Sequence, residues 1–158
     1  MVASAIGPVF DYLLAGLPAV ITAVSPNASV QDGWVNDMTN EMVVLGATAV
    51  DAPDAQTTGT HVYQELGAAR VEEAFDIPAY VDCVVGGIDQ SEARNNALVI
   101  FNAIVAFVRT DLTFGGALLN GRIGQLTNIR MDHTRDPVEA QAGRRCVIYF
   151  TVSCHNLY

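Results

Sequence analysis

The sequence predicts an α+β domain, a mostly antiparallel sheet of four to five strands with two main helices packed on one face. Three observations predict it. Two stretches repeat apolar residues at helical spacing, others alternate with period two, and glycine, proline and polar clusters separate them. At 158 residues, 51% hydrophobic and 16% charged, the chain can bury a substantial core, and it reads as one domain over 1–158.

Ile6, Val9, Phe10, Leu13, Leu14 and Leu17 form one helical stripe, with Asp11 and Tyr12 turned away. Pro18 bends or ends this helix, and Val20, Ile21 and Val24 keep its phase, so a kinked helix to Val24 is expected. Short strands follow at 28–32, before Gly33-Trp34, and at 41–46, closed by Gly46. Residues 47–64, rich in Ala, Thr, Asp and Gly, read as a long exposed loop. Residues 69–86 read as one long strand, broken or bulged at Pro78. Asp89 and Glu92 have capping-box spacing ahead of a helix at 90–109 with a core stripe of Ala97, Ile100, Phe101, Ile104, Val105 and Val108. Leu98, Val99 and Phe107 widen that stripe toward all-round burial. A turn at Gly115-Gly116, a strand at 122–132, a polar loop at 132–143 and a strand at 144–155 complete the chain. On that last strand Cys146, Ile148, Phe150, Val152 and Cys154 face one way, and Val147, Tyr149, Thr151, Ser153 and His155 the other.

The charge balance is −9, with 17 acids against 8 cations, all of them arginine. A negative surface argues against gripping nucleic acid. The lack of lysine removes Schiff-base chemistry and the P-loop lysine. Cys83, Cys146 and Cys154 form no C-x-x-C and are an odd number, so buried free thiols in a reducing cytosol are expected. The apolar run from Val9 to Val24 lacks a preceding basic region, contains Asp11 and falls short of the ~20 residues of a span, so it reads as a core helix and no membrane partner is expected.

The search for chemistry returns little. No nucleophile elbow, zinc-protease, Walker or dinucleotide motif is present, and no catalytic, cofactor or metal site is assigned. His133, in Asp132-His133-Thr134-Arg135-Asp136, has no ligand spacing, and Cys83 has no histidine nominated beside it. Glu72, Glu73 and Asp76 read as a solvated or interface patch, and Trp34 as packing or a subunit contact.

The succession Arg70-Val71-Glu72-Glu73, Tyr80-Val81-Asp82-Cys83-Val84-Val85, Ser91-Glu92-Ala93-Arg94, Leu112-Thr113-Phe114-Gly115-Gly116 and the final Arg144-Arg145-Cys146-Val147-Ile148-Tyr149-Phe150 strand covers nearly the whole chain. It resembles the tail terminator (tail-completion, minor tail protein) family of long-tailed bacteriophages. That resemblance implies a non-enzymatic virion protein without cofactor, assembled in the host cytoplasm into a homohexameric ring. The ring caps the head-proximal end of the tail tube, stops tube polymerisation and joins the head-neck complex. The implied partners are further copies, the major tail tube protein and a head-closure protein, with genome DNA passing unbound through the lumen. Six copies at −9 total about −54, which repels DNA and lets it slide.

Under this reading the 47–64 and 132–143 loops make axial or luminal contacts, and Arg130, Asp132, Arg135 and Asp136, with Glu72, Glu73 and Trp34, are the interface candidates. The alternative in the same class is another neck or tail component, a head-closure or adaptor protein or a tail tube subunit. The alternative in another class is a small cytosolic enzyme or ligand-binding domain, with a pocket near Cys83 or His133.

Overall fold

The computed structural model describes residues 4–33, 35, 39–49, 57–63, 71–87, 89–120, 122–135 and 143–158. Among them the order is α1 (Ile6–Val24), β1 (Ser29–Asp32), β2 (Glu41–Leu45), β3 (Thr58–Tyr63), β4 (Val71–Val85), α2 (Gln90–Thr110), β5 (Gly124–Arg135) and β6 (Arg144–Leu157). The six strands form one sheet in the order β1-β2-β4-β6-β5, with β3 also paired to β4. All pairings are antiparallel except β1 with β2. The α+β expectation holds, with two helices packed against a mostly antiparallel sheet.

The sheet has six strands rather than four to five because part of the 47–64 stretch is β3. Thr58, Gly59, Thr60, His61 and Val62 are all exposed, so no burial pattern marks them in the sequence. Backbone pairing to β4, from Thr58↔Asp76 to Tyr63↔Val71, makes the strand. The 132–143 stretch is likewise no uniform loop, since Asp132–Arg135 continue β5 opposite Val147–Arg144. Residues 50–56 and 136–142, and Trp34 with them, lie outside the described residues.

β4 runs through Pro78 without a bulge, paired in unbroken register with β6 from Glu72↔Leu157 to Val85↔Arg144. The reason lies on the other edge of β4. There β2 ends at Leu45↔Ala79 and β3 begins at Thr58↔Asp76. Pro78 O accepts from Gly46 N at 2.7 Å, and in a strand a residue's N–H and C=O point to the same side. The donor that proline lacks is therefore one that would face the junction between β2 and β3, so the β6 ladder loses nothing.

Phe75, Ile77, Ala79, Val81 and Cys83 of β4 and Cys146, Ile148, Phe150, Val152 and Cys154 of β6 line the face that receives the helices. α1 contributes Val9, Leu13, Leu17 and Ile21, all fully buried, each worth about 2 kcal/mol of burial. α2 contributes Ala93, Ala97, Ile100, Phe101, Ile104 and Val108. α1 continues through Pro18 to Val24, where Ser25 N donates to Ile21 O at 2.8 Å. Tyr12 does not turn away with Asp11. It stacks on Phe107 of α2 at 5.4 Å between centroids and meets Phe114 edge-on at 5.9 Å. At the start of α2, Asp89 accepts from Ser91 N at 2.8 Å, two residues on rather than three.

The opposite face carries a second, smaller apolar cluster of Met42, Val44, Ala47, Tyr80 and Val147. Residues 111–120 turn the chain from α2 into β5 with Phe114, Gly115 and Gly116 at φ of 52°, 68° and 80°. The turn is held by Asp111, whose carboxylate accepts from Thr113 N and Gly115 N at 2.9 and 2.7 Å.

Candidate functional site

The polar side chains singled out in the sequence divide into an interior group and a surface group. Glu73 belongs to the interior: it is 0% exposed, and so lies within the chain rather than at an interface. Its carboxylate accepts hydrogen bonds from Ser4 Oγ, from Ala5 N at 2.8 Å and from Tyr158 Oη at 2.5 Å, and it pairs with His61 Nε2 at 2.8 Å. One carboxylate thus ties the first turn of α1, strand β3 and Tyr158 to β4. Ala5, the N-cap of α1, offers no capping side chain, and Glu73 supplies the anion that a helix start favours. Burial pushes the Glu73 pKa up, but the bonds from Ser4, Tyr158, Ala5 and His61 more than offset it, leaving it below its ordinary 4.5. Tyr158 is pushed up to about 12 by burial and by its bond to Glu73.

Glu72, one residue earlier, points to the other face. It pairs with His155 Nε2 at 2.8 Å and lies 3.9 Å from Arg122. Further along that face Asp82, 1% exposed, holds Arg145 in a bidentate pair at 2.8 and 2.6 Å. Arg130 and Asp132 of β5 share the face and pair at 3.0 Å, with side chains 65% and 40% exposed. The Arg130 guanidinium lies 4.5 Å from the centroid of Tyr149, its partner across the strands, and Tyr149 meets Tyr80 at 5.9 Å. Cation–π contact and ion pair together hold Arg130 flat on the sheet. Arg135 lies in β5 opposite Arg144, and Asp136, like Trp34, lies outside the described residues.

Asp132 and His133 do not converge. Strand alternation sends Asp132 to the Tyr149 face, while His133 Nδ1 lies 3.0 Å from Gln90 Nε2 of α2. Cys83 is fully buried, and burial with the negative charges of Glu41 and Asp82 raises its pKa far above the ordinary thiol value. That holds it as the unreactive thiol. Among the described residues no three His, Cys, Asp or Glu side chains are placed to hold a metal ion.

Sequence reasoning missed Asp82 with Arg145, and Tyr158 and His61 as partners of Glu73. A signal for Glu73 existed, because the alternation Phe75, Ile77, Ala79, Val81, Cys83 extends back onto it. No sequence signal joins His61 or Tyr158 to it.

Part of the surface is apolar. α1 is long and apolar enough by length and composition to cross a membrane, and Val9, Leu13, Leu17 and Ile21 are its buried residues. A second apolar surface is a groove of about 360 Å³ between the end of α2 and the start of β5. Ile123 and Ile129 in its lining are 50% and 57% exposed.

No family model and no curated sequence matches the chain. Among solved structures, a chain of the "Virion of native gene transfer agent (GTA) particle" matches over 94% of this chain and 92% of that chain, at 16% identity and a TM-score of 0.43. A likeness at that level carries no argument about this chain's role.

Proposed function

We propose that this protein is a structural subunit of a phage-like virion, a tail terminator whose copies form a ring on the head-proximal end of the tail tube. The ring stops tube polymerisation and offers the joint to the head-neck complex, and genome DNA passes through it. The observation that carries the reading is the exposed apolar surface between the end of α2 and the start of β5, where Ile123 and Ile129 are 50% and 57% exposed. Apolar surface of that kind favours cover by a partner, and further copies supply it. The order of elements, with its helix, Gly-Gly turn and closing pair of long strands, agrees with the resemblance that the sequence carries. The interior use of Glu73 and Asp82 fits a part that works through surfaces.

Electron microscopy of tails assembled without the protein tests the role. Overlong tubes are expected, and normal-length tubes that fail to join heads would assign the chain to the neck instead. A specific feature favours a second reading, a tail tube subunit. The 47–64 stretch contains β3, which pairs with β4 as a hairpin, and a tube subunit would use a hairpin to reach between rings. Under that reading, virions without the protein have no tubes at all.

A further inference from the structure

We infer that the ring is closed by the exposed stripe of α1 from one copy seating in the α2–β5 groove of the next. This deepens the ring reading and rests on it. The stripe consists of Pro8, Asp11, Ala15, Pro18, Ala19 and Thr22, all exposed and all on the side of α1 opposite its buried Val9, Leu13, Leu17 and Ile21. Its side chains are small, so a partner can approach the helix backbone closely. The groove is lined by Val105, Val108, Leu112, Ile123, Leu126 and Ile129, with Arg109 at its rim.

Charge identifies the occupant. Each copy carries −9, so two copies meet only where acids are kept apart. No charged residue occurs between Asp11 and Asp32, the longest uncharged run of the sequence, so α1 beyond Asp11 is free of that repulsion. The one charged residue on the stripe is an acid, Asp11, and the one charged residue lining the groove is a base, Arg109. Both are exposed, and neither has an ion-pair partner among the described residues. The two surfaces therefore complement each other.

Their positions fix the kind of assembly. α1 packs on β1 and on one side of α2, and Phe10 and Ile6 reach toward β2 and β3. The groove lies beyond α2, at the β5 edge. Stripe and groove are thus two different surfaces of the chain, the stripe facing away from the sheet, and joining them is a head-to-tail contact. A head-to-tail contact with a closing rotation makes a ring.

The test uses Ala15→Glu on the stripe and Ile129→Glu in the groove, followed by sedimentation velocity, with thermal unfolding as the check on folding. Each variant should melt like the wild type and need about a hundredfold higher concentration to assemble. An equimolar mixture of the two should stop at a heterodimer, because each retains one intact surface. Asp11→Arg should weaken assembly, and adding Arg109→Asp to the same chain should restore it. If the wild type and both glutamate variants assemble alike, the contact is wrong and the ring reading survives. A wild type that stays monomeric, alone and with tube protein, overturns both. Flotation of the wild type with anionic phospholipid vesicles, lost in Ala15→Glu, would assign the stripe to a membrane and overturn the contact.

Discussion

Gly16 of α1 lies under the ring of Phe107 of α2, so close that a Cβ at Gly16 would fall 2.3 Å from Phe107 Cζ and 2.7 Å from Cε2. The ring cannot swing aside freely, because it is stacked on Tyr12. Close approach of the two helices thus depends on a missing methyl group.

Gly16→Ala sets two effects against each other. Ala in a helix interior gains about 1 kcal/mol over Gly, while overpacking costs about 1–3 kcal/mol. The expected outcome is a net loss of about 1 kcal/mol in urea unfolding. In a Phe107→Ala background the clash is gone, and the same substitution should stabilise by about 1 kcal/mol. A loss of equal size in both backgrounds would show that the ring is not the obstacle.

Glu73→Gln should make stability less dependent on pH. The folded pKa of Glu73 lies below its ordinary 4.5, so its charge contributes stability that is complete above the unfolded value and lost as pH falls through the folded one. At neutral pH the variant should be less stable by about 1–3 kcal/mol, the range for a buried charged hydrogen-bond acceptor. The gap between the two proteins should stay level from neutral pH to about pH 5, then close toward acid. A gap that stays constant down to about pH 3 would count against an ionised Glu73.

The Asp82–Arg145 pair should respond asymmetrically. Arg145→Ala leaves a carboxylate that is 1% exposed without its bidentate partner, which costs about 3 kcal/mol. Asp82→Ala leaves a guanidinium that is 21% exposed and reaches water, which costs about half as much. Combining Asp82→Leu with Arg145→Met in one chain replaces the pair by apolar side chains and should recover most of the loss. Denaturant midpoints of the wild type and the three variants decide this, and equal losses for the two alanine variants would contradict the burial difference.

The three thiols should be silent in the folded protein. Cys83, Cys146 and Cys154 are all buried, and burial raises the pKa of each, that of Cys154 to about 12. At about pH 8 an aromatic disulfide reagent should label them more than about a thousandfold more slowly than in urea, at the rate of chain opening. Fast labelling of one thiol in the native state would expose a local opening at its strand.

What is legible in the sequence is whatever packs against the core. β6 alternates without a fault because Cys146 to Cys154 face the helices, and α2 shows its stripe from Ala97 to Val108 for the same reason. β3 and the end of β5 are illegible because they pair through backbone while their described side chains stay half-buried or exposed. Glu72 and Glu73 read as one acidic patch, yet the period of two places one against Arg122 and His155 and the other in the interior. Composition hides what alternation holds. The helical stripes are legible on their buried sides, but Tyr12 meets Phe107 and Phe114 where Gly16 lies against the Phe107 ring and Gly115 lies against Tyr12 itself, contacts that no periodicity announces.

Pro78 carries a consequence for how this fold tolerates change. With no donor at the junction of β2 and β3, neither strand can lengthen past it along β4. One edge of β4 is therefore divided between five residues of β2 and six of β3, whose facing ends meet at Pro78. An insertion or deletion between them cannot be absorbed by sliding either strand and must be taken up wholly in the connection. Length variation is confined to one place, and the hairpin beyond it is carried at constant height on the sheet whatever the connection becomes.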